Sequence, residues 1–175
     1  MKLKVYLAGK ISKNDWRHDL VPNLKGHLWP DGAIDTGSFS YTGPFFVSCD
    51  HACFHQPRLH GAVSKGISAE CGEHKFSSTD VVEFNTQSLV VADLVFVYVT
   101  ATDCHGTLIE IGMAKAMGKR IVLAINPEVK DEEIWYAKEM ASHVYLKVIT
   151  EQLPALFLQV VLSETLSICT RRGAK

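Results

Sequence analysis

The sequence has no long run of basic residues and no large excess of one charge. Its 18 Lys and Arg residues stand against 19 Asp and Glu residues, giving a formal net charge of −1 at pH 7. Proteins that grip a nucleic acid backbone typically carry a basic patch or stripe. The composition therefore favours a small-molecule ligand and predicts no nucleic acid partner.

Long apolar runs are also missing. No stretch reaches the roughly 18 to 20 apolar residues that cross a bilayer, although residues 153–162 are rich in them and predict a helix packed on the core or on another subunit. The N-terminus lacks a cationic and then apolar leader, and the five cysteines are odd in number, which is unusual for a disulfide framework. We therefore expect a cytoplasmic protein with reduced thiols and no membrane partner.

Alternating apolar and amphipathic segments are typical of an α/β protein. The predicted strands are 2–8, 91–100, 120–126 and 143–149, and the predicted helices are 12–24, 80–90, 107–117, 132–141 and one from 153. The strand at 91–100 is apolar on both faces, as in parallel sheets covered by helices. We expect one doubly wound, flavodoxin-like or Rossmann-like domain over 1–175, with a mostly parallel five-stranded sheet.

Residues 26–79 differ from the rest and predict a long irregular insertion after the first helix. They contain the side chains of a possible metal site: Cys49, Asp50, His51, Cys53, His55, His60, Cys71 and His74. Their spacing matches no diagnostic zinc pattern, so we predict neither a metal nor another cofactor. Two alternatives stay open, namely a structural zinc ion and a lid in which Asp50 and His51 contact the substrate.

Residues 103–118 follow the central strand and open a helix at the sheet edge where ligands collect. Gly106 is expected to form the turn, Thr107 to cap the helix and Glu110 to lie in the first helical turn. The positive end of the helix would help keep Glu110 ionised as a nucleophile. Thr107 and Glu110 also fit a capping box, in which the glutamate only satisfies backbone donors, so both interpretations stay open.

Three blocks in order, YLAGKIS (6–12), ADLVFVYV (92–99) and GTLIEIGMAKAMGKRIVLAI (106–125), resemble the nucleoside 2-deoxyribosyltransferase family, which includes related nucleotide N-glycosidases. The resemblance implies that Glu110 attacks the anomeric carbon, the base leaves, and a second base or water resolves the glycosyl-enzyme ester. A reaction with an oxocarbenium-like transition state also requires an acid near the departing base. We expect Asp103 in that role, because Asp93 begins the central strand and should lie at the opposite edge.

The resemblance also implies that the first strand and its turn form a wall of the site. Tyr6, Gly9, Lys10 and Ser12 are therefore expected to face the sugar or the base. The other predicted substrate contacts lie at the start of the helix: His105, Gly106 and Thr107. Lys10 stands where the family often has proline, and its ammonium group would suit a phosphate.

The chain departs from the family in the helix before the central strand. Transferases typically carry an acidic residue there, whereas Asn85, Thr86 and Gln87 occupy that neighbourhood. The gap weakens base transfer more than glycosidic cleavage. The competing hypothesis is a non-catalytic nucleotide-binding or signalling module on the same fold. The expected partners are a nucleoside or nucleotide, a free nucleobase and further copies of the chain in a homo-oligomer.

Overall fold

The structure is a computed structural model that describes residues 2–11, 15–22, 24, 32–45 and 78–173. Strands and helices follow in the order β1 (Lys4–Gly9), α1 (Arg17–Leu20), β2 (Ile34–Asp35), β3 (Ser40–Gly43), α2 (Ser78–Val91), β4 (Leu94–Val99), α3 (His105–Ala116), β5 (Arg120–Ile125), α4 (Trp135–Met140), β6 (His143–Tyr145) and α5 (Leu153–Gly173). Two 3₁₀ turns, Asp131–Ile134 and Thr150–Gln152, precede α4 and α5.

The six strands form one sheet in the order β2-β3-β1-β4-β5-β6. Five neighbouring strands of this sheet pair in parallel, namely β3, β1, β4, β5 and β6. The two-residue strand β2 pairs antiparallel with β3 at the edge. Since parallel neighbours need crossovers, the intervening helices cover the sheet. The predicted doubly wound fold with five parallel strands is confirmed, and β2 is an addition to it.

Successive side chains of the strands enter two different cores, because side chains in a strand alternate between the faces of the sheet. On one face, Leu7 and Phe96 pack with α1 and with residues such as Phe157 of α5. On the other face, Tyr6 and Val97 pack with side chains of α2, α3 and α4. Burial on both faces explains why the central strand reads as a continuous apolar run.

Strands β2 and β3 correct the predicted extent of the irregular insertion. They lie inside residues 26–79, and β3 supplies the fifth parallel strand, with Tyr41 fully buried. Segments of two and four residues are too short to show a periodic pattern, so the sequence did not reveal them. The remaining residues of the predicted insertion up to 31 and from 46 to 77 lie outside the described part.

Helix α1 is shorter than predicted, since it covers four residues where the pattern indicated a helix over 12–24. Pro22 follows it closely, and a proline in the next turn opposes continuation of a helix. The first residues of the predicted helix, 12–14, lie outside the described residues.

Helix α5 contacts the core with one side only. Its residues Leu153, Phe157, Val160 and Val161 are buried beside α1, as expected for a helix packed on the core. Contrary to the sequence prediction, the segment Thr150–Thr170 is long and apolar enough to span a membrane by length and composition. Core helices of soluble proteins meet the same criterion, so this finding is weak evidence for a membrane.

Candidate active site

The candidate site lies where β1 and β4 end, beneath the start of α3. Strand β1 ends at Gly9, β4 ends at Val99, and the two strands pair in parallel up to these ends. The loop after β4 leads within a few residues to His105, the first residue of α3. Ligands of doubly wound sheets bind at this carboxyl edge, which is where the sequence predicted the site.

The carboxylate of Glu110 meets the hydroxyl of Tyr6 at this edge. The Tyr6 hydroxyl donates a hydrogen bond of 2.5 Å to Oε1 of Glu110, although 104 residues separate the two in the chain. Tyr6 is fully buried, whereas Glu110 is half-buried and keeps access to solvent. The structure therefore brings together two residues that the sequence predicted for the site.

The predicted helix cap is wrong. Helix α3 begins at His105 after Cys104, and no side chain caps its N-terminus. Thr107 and Glu110 are therefore the third and sixth residues of the helix, beyond the positions of a capping box. Glu110 bonds to Tyr6 of another strand, and it lies past the first turn, within which the field of the helix end is felt.

Burial governs the charge of Glu110. Loss of solvent raises the pKa of its carboxyl from 4.5 to about 7, while the hydrogen bond from Tyr6 and the charge of Arg17 act in the opposite direction. Burial and the neighbouring carboxylate likewise raise the pKa of the Tyr6 hydroxyl well above its usual value, so Tyr6 remains the donor. At neutral pH the carboxyl of Glu110 is thus present in both protonation states.

Asn85 of α2 is the second side chain that reaches Glu110. Its amide nitrogen lies 3.5 Å from Oε1, a long hydrogen bond to the oxygen that also accepts from Tyr6. The sequence identified this neighbourhood only as one lacking the acidic residue of the family. The structure shows that a neutral amide stands next to the glutamate there.

Lys10 and Asp103 form an ion pair across the mouth of the site. The Lys10 ammonium donates to both carboxylate oxygens of Asp103 at 2.7 Å, joining the loop after β1 to the loop after β4. This contact holds the pKa of Asp103 below its usual range. His105 is exposed beside it. Asp93, in contrast, accepts from the backbone amide of Lys4 at the opposite sheet edge, as predicted.

Three glycines near the site differ in the space that a side chain would have. A side chain at Gly9, whose φ is +157°, would place its Cβ 2.7 Å from the carbonyl oxygen of Tyr98. At Gly43, at the end of β3, a Cβ would lie 3.0 Å from the side chain of Ser88 and 3.2 Å from the ring of Tyr6. Gly106, predicted to form the turn, is instead an exposed helical residue with open space around it.

Arg17 is the residue of this region that the sequence analysis missed. Its side chain is fully buried, and its guanidinium donates to the carbonyl oxygens of Leu7 at 2.8 Å and Gly9 at 2.6 Å. Asp15 accepts from the same group at 2.6 Å. A charged pair in a short polar segment usually indicates a solvated surface, so nothing in the local pattern signalled its burial.

Several predicted residues lie in segments that the structure does not describe. Ser12, Asp50 and His51, and the group of cysteines and histidines between 49 and 74, lie outside the described residues. Within the described ranges, no group of three or more His, Cys, Asp or Glu side chains is arranged to hold a metal ion.

The fold and the site define a class: a doubly wound α/β protein with a hydrogen-bonded glutamate at the carboxyl edge of its sheet. The sequence profile of the family described as "Nucleoside 2-deoxyribosyltransferase like" matches residues 2–128. This match covers most of the chain, and the protein belongs to that family. No curated protein matches the chain.

Proposed function

We propose that the protein cleaves or exchanges the N-glycosidic bond of a (deoxy)nucleoside or nucleotide, with Glu110 as the nucleophile. The observation that carries this proposal is the hydrogen bond by which Tyr6 orients the carboxylate of Glu110, a partly exposed residue at the sheet edge. A glutamate that served only to cap its helix would face its own backbone amides. Membership of the nucleoside 2-deoxyribosyltransferase-like family supports the choice of substrate.

In the proposed reaction, an oxygen of ionised Glu110 bonds to the C1′ atom of the sugar. The bond between C1′ and the base nitrogen breaks, its electron pair leaves with the base, and the base takes up a proton from Asp103. Water or a second base then attacks C1′, returns a proton to Asp103 and releases the carboxylate. The Tyr6 hydroxyl orients the attacking group and favours its ionised form, because it donates a hydrogen bond to the carboxylate.

The ion pair at the mouth supports a phosphorylated substrate. A 5′-phosphate is negatively charged, as the Asp103 carboxylate is, so the Lys10 ammonium can bind either group. Lys10 occupies both carboxylate oxygens of Asp103, so Asp103 can approach the base only after this pair opens. Phosphate binding and the proposed role of Asp103 are therefore linked, with Gly9, His105 and Thr107 as the adjoining substrate contacts.

One observation favours the second candidate, a non-catalytic nucleotide-binding module. Among the described residues, the side chains that donate hydrogen bonds to Glu110 are Tyr6 and Asn85, and neither is a carboxylic acid. Glu110 thus retains the means to bind a sugar, whereas the second carboxyl, that of Asp103, is paired with Lys10 and does not contact it. Turnover measurements distinguish the two candidates.

The decisive experiment combines deoxynucleosides, deoxynucleotides and a free acceptor base with the protein and separates the products by chromatography. Free base alone indicates hydrolysis, and a new nucleoside indicates transfer. We expect Glu110→Gln to abolish turnover while ligand binding persists. Glu139→Gln makes the same change at an exposed position of α4 and should leave turnover intact. Binding without turnover in the parent protein would favour the module instead.

We further propose that the protein works in the cytoplasm as a homo-oligomer. Leu158, Leu162 and Leu166 recur at every fourth position of α5 and are 49%, 56% and 67% exposed, so they line one side of the helix. A second copy of the chain would cover these side chains. Sedimentation of the parent protein and of a Leu162→Glu variant tests this, since the variant should sediment as a smaller species.

A further inference from the structure

Arg17 takes the place of missing strand partners at the end of β1. The carbonyl oxygen of Leu3 points toward β3, because it accepts from the amide of Ser40. Carbonyls two residues apart in a strand point the same way, so those of Leu7 and Gly9 also point toward the β3 side. Strand β3 has ended by then, since its last residue pairs with Tyr6. The guanidinium of Arg17 satisfies both carbonyls.

This arrangement places a permanent positive charge inside the protein near the site. Arginine stays protonated in proteins, and the Arg17 side chain is fully buried. Asp15 balances the charge at 2.6 Å, with only 4% of its own side chain exposed. A buried charge acts over longer distances than an exposed one, because little water screens it.

Glu110 meets the same end of β1 as this charge: Arg17 donates to the carbonyl oxygen of Leu7, the residue after Tyr6, and the Tyr6 hydroxyl donates to Glu110. The positive field of Arg17 acts on Glu110 and on Tyr6, and lowers the pKa of both groups. Two other side chains donate to the carboxyl, the phenol of Tyr6 in β1 and the amide of Asn85 in α2. Burial raises the pKa of the Tyr41 hydroxyl in β3 and of the Cys104 thiol before α3, and the charge of Glu110 also raises both. Arg17 is the cation among these described neighbours.

We propose that Arg17 is a positioning residue of the Glu110 site: it holds the end of β1 by two backbone carbonyls and favours the negative charge on Glu110. The Asp15 carboxylate moderates this effect, since it offsets part of the same charge. The inference rests on the proposed function for its role in turnover, whereas its effect on the charge of Glu110 stands independently of turnover.

The test is the titration midpoint of the Glu110 carboxyl, followed by NMR in protein with ¹³C-labelled glutamate and assigned by its absence from Glu110→Gln. Arg17→Gln removes the positive charge, so the midpoint should rise by about half a unit or more. Asp15→Asn removes the balancing negative charge, so the midpoint should fall. Arg17→Lys keeps the charge and should leave the midpoint near its parental value.

Arg120→Gln is the matched control, because it neutralises an exposed arginine at the other end of the sheet. Midpoints of Arg17→Gln and Asp15→Asn that equal that of the control would overturn the proposal. Asp15→Asn retains both carbonyl contacts of Arg17, so it decides the question if Arg17→Gln does not fold.

Turnover of the same variants separates this inference from the proposed function. Shifted midpoints in a protein that turns over no substrate would refute the proposed reaction and uphold the role of Arg17. Turnover with unshifted titration midpoints would support the proposed reaction and refute the role of Arg17. A merely structural Arg17 would lower the melting temperature of its variants and leave the midpoint in place.

Discussion

The carboxyl of Glu110 should make the folded protein less stable as the pH rises from 4.5 to 7. In the unfolded chain the group titrates near its usual value of 4.5, whereas burial raises its pKa to about 7 in the folded state. The folded state therefore holds the proton more tightly. Its stabilising contribution is fully present below pH 4.5 and is lost as the pH rises through 7.

The size of this effect follows from the two pKa values. Their difference is 7 − 4.5, about 2.5, which at about 1.4 kcal/mol per pH unit corresponds to about 3 kcal/mol. Because Glu110 is half-buried and water reaches it, we expect a measured loss of about 1 to 3 kcal/mol. Glu110→Gln lacks the titrating group, so its free energy of unfolding should not show this decrease.

Urea unfolding of the parent and Glu110→Gln at pH 4.5 and pH 8 measures the effect. Subtracting the free energy of unfolding of the parent from that of Glu110→Gln at each pH removes the titration of all other groups. This difference should be larger at pH 8 than at pH 4.5, because only the parent loses stability through Glu110. Glu139→Gln, at an exposed site, should follow the parent at both values. Parallel behaviour of Glu110→Gln and the parent would refute the assigned burial of the carboxyl.

Three other substitutions test the site. Tyr6→Phe removes a hydrogen bond to a charged group, so the titration midpoint of Glu110 in NMR should rise by about one to two units; an unchanged midpoint contradicts the contact. Gly9→Ala places a Cβ against the carbonyl oxygen of β4 and should cost more than about 1 kcal/mol in urea unfolding. Lys10→Met removes the ammonium group that pairs with Asp103 and that is proposed to bind the phosphate. The affinity for nucleoside 5′-phosphates, measured by calorimetry, should therefore fall at least about tenfold, whereas the affinity for nucleosides should be retained. Equal losses for both ligands would exclude a phosphate contact.

The sequence revealed the elements that have long and regular patterns. The strands β1, β4 and β5 are six residues each and apolar on both faces, so their identity followed from composition alone. The position of Glu110 after the central strand then predicted the sheet edge at which it lies. Strand β3 was missed because four residues carry no readable period.

The chemistry around Glu110 was harder to predict than its position. The spacing of Thr107 and Glu110 matched a capping box, and only the true start of α3 at His105 excludes that interpretation. The hydrogen bond from Asn85 and the electrostatic influence of Arg17 depend on how separate helices meet the sheet. Local patterns describe one element at a time, so they contain no information on such contacts.

The Tyr6 to Glu110 contact also bears on how the protein folds. Its two residues are 104 positions apart in the chain, and Tyr6 lies on a strand that is inserted between β3 and β4. The intervening polypeptide must therefore be closed into a loop before the pair exists, which makes such long-range contacts slow to form. The hydrogen bond between Tyr6 and Glu110 thus forms only when the sheet is assembled, and neither half of the polypeptide can form it alone.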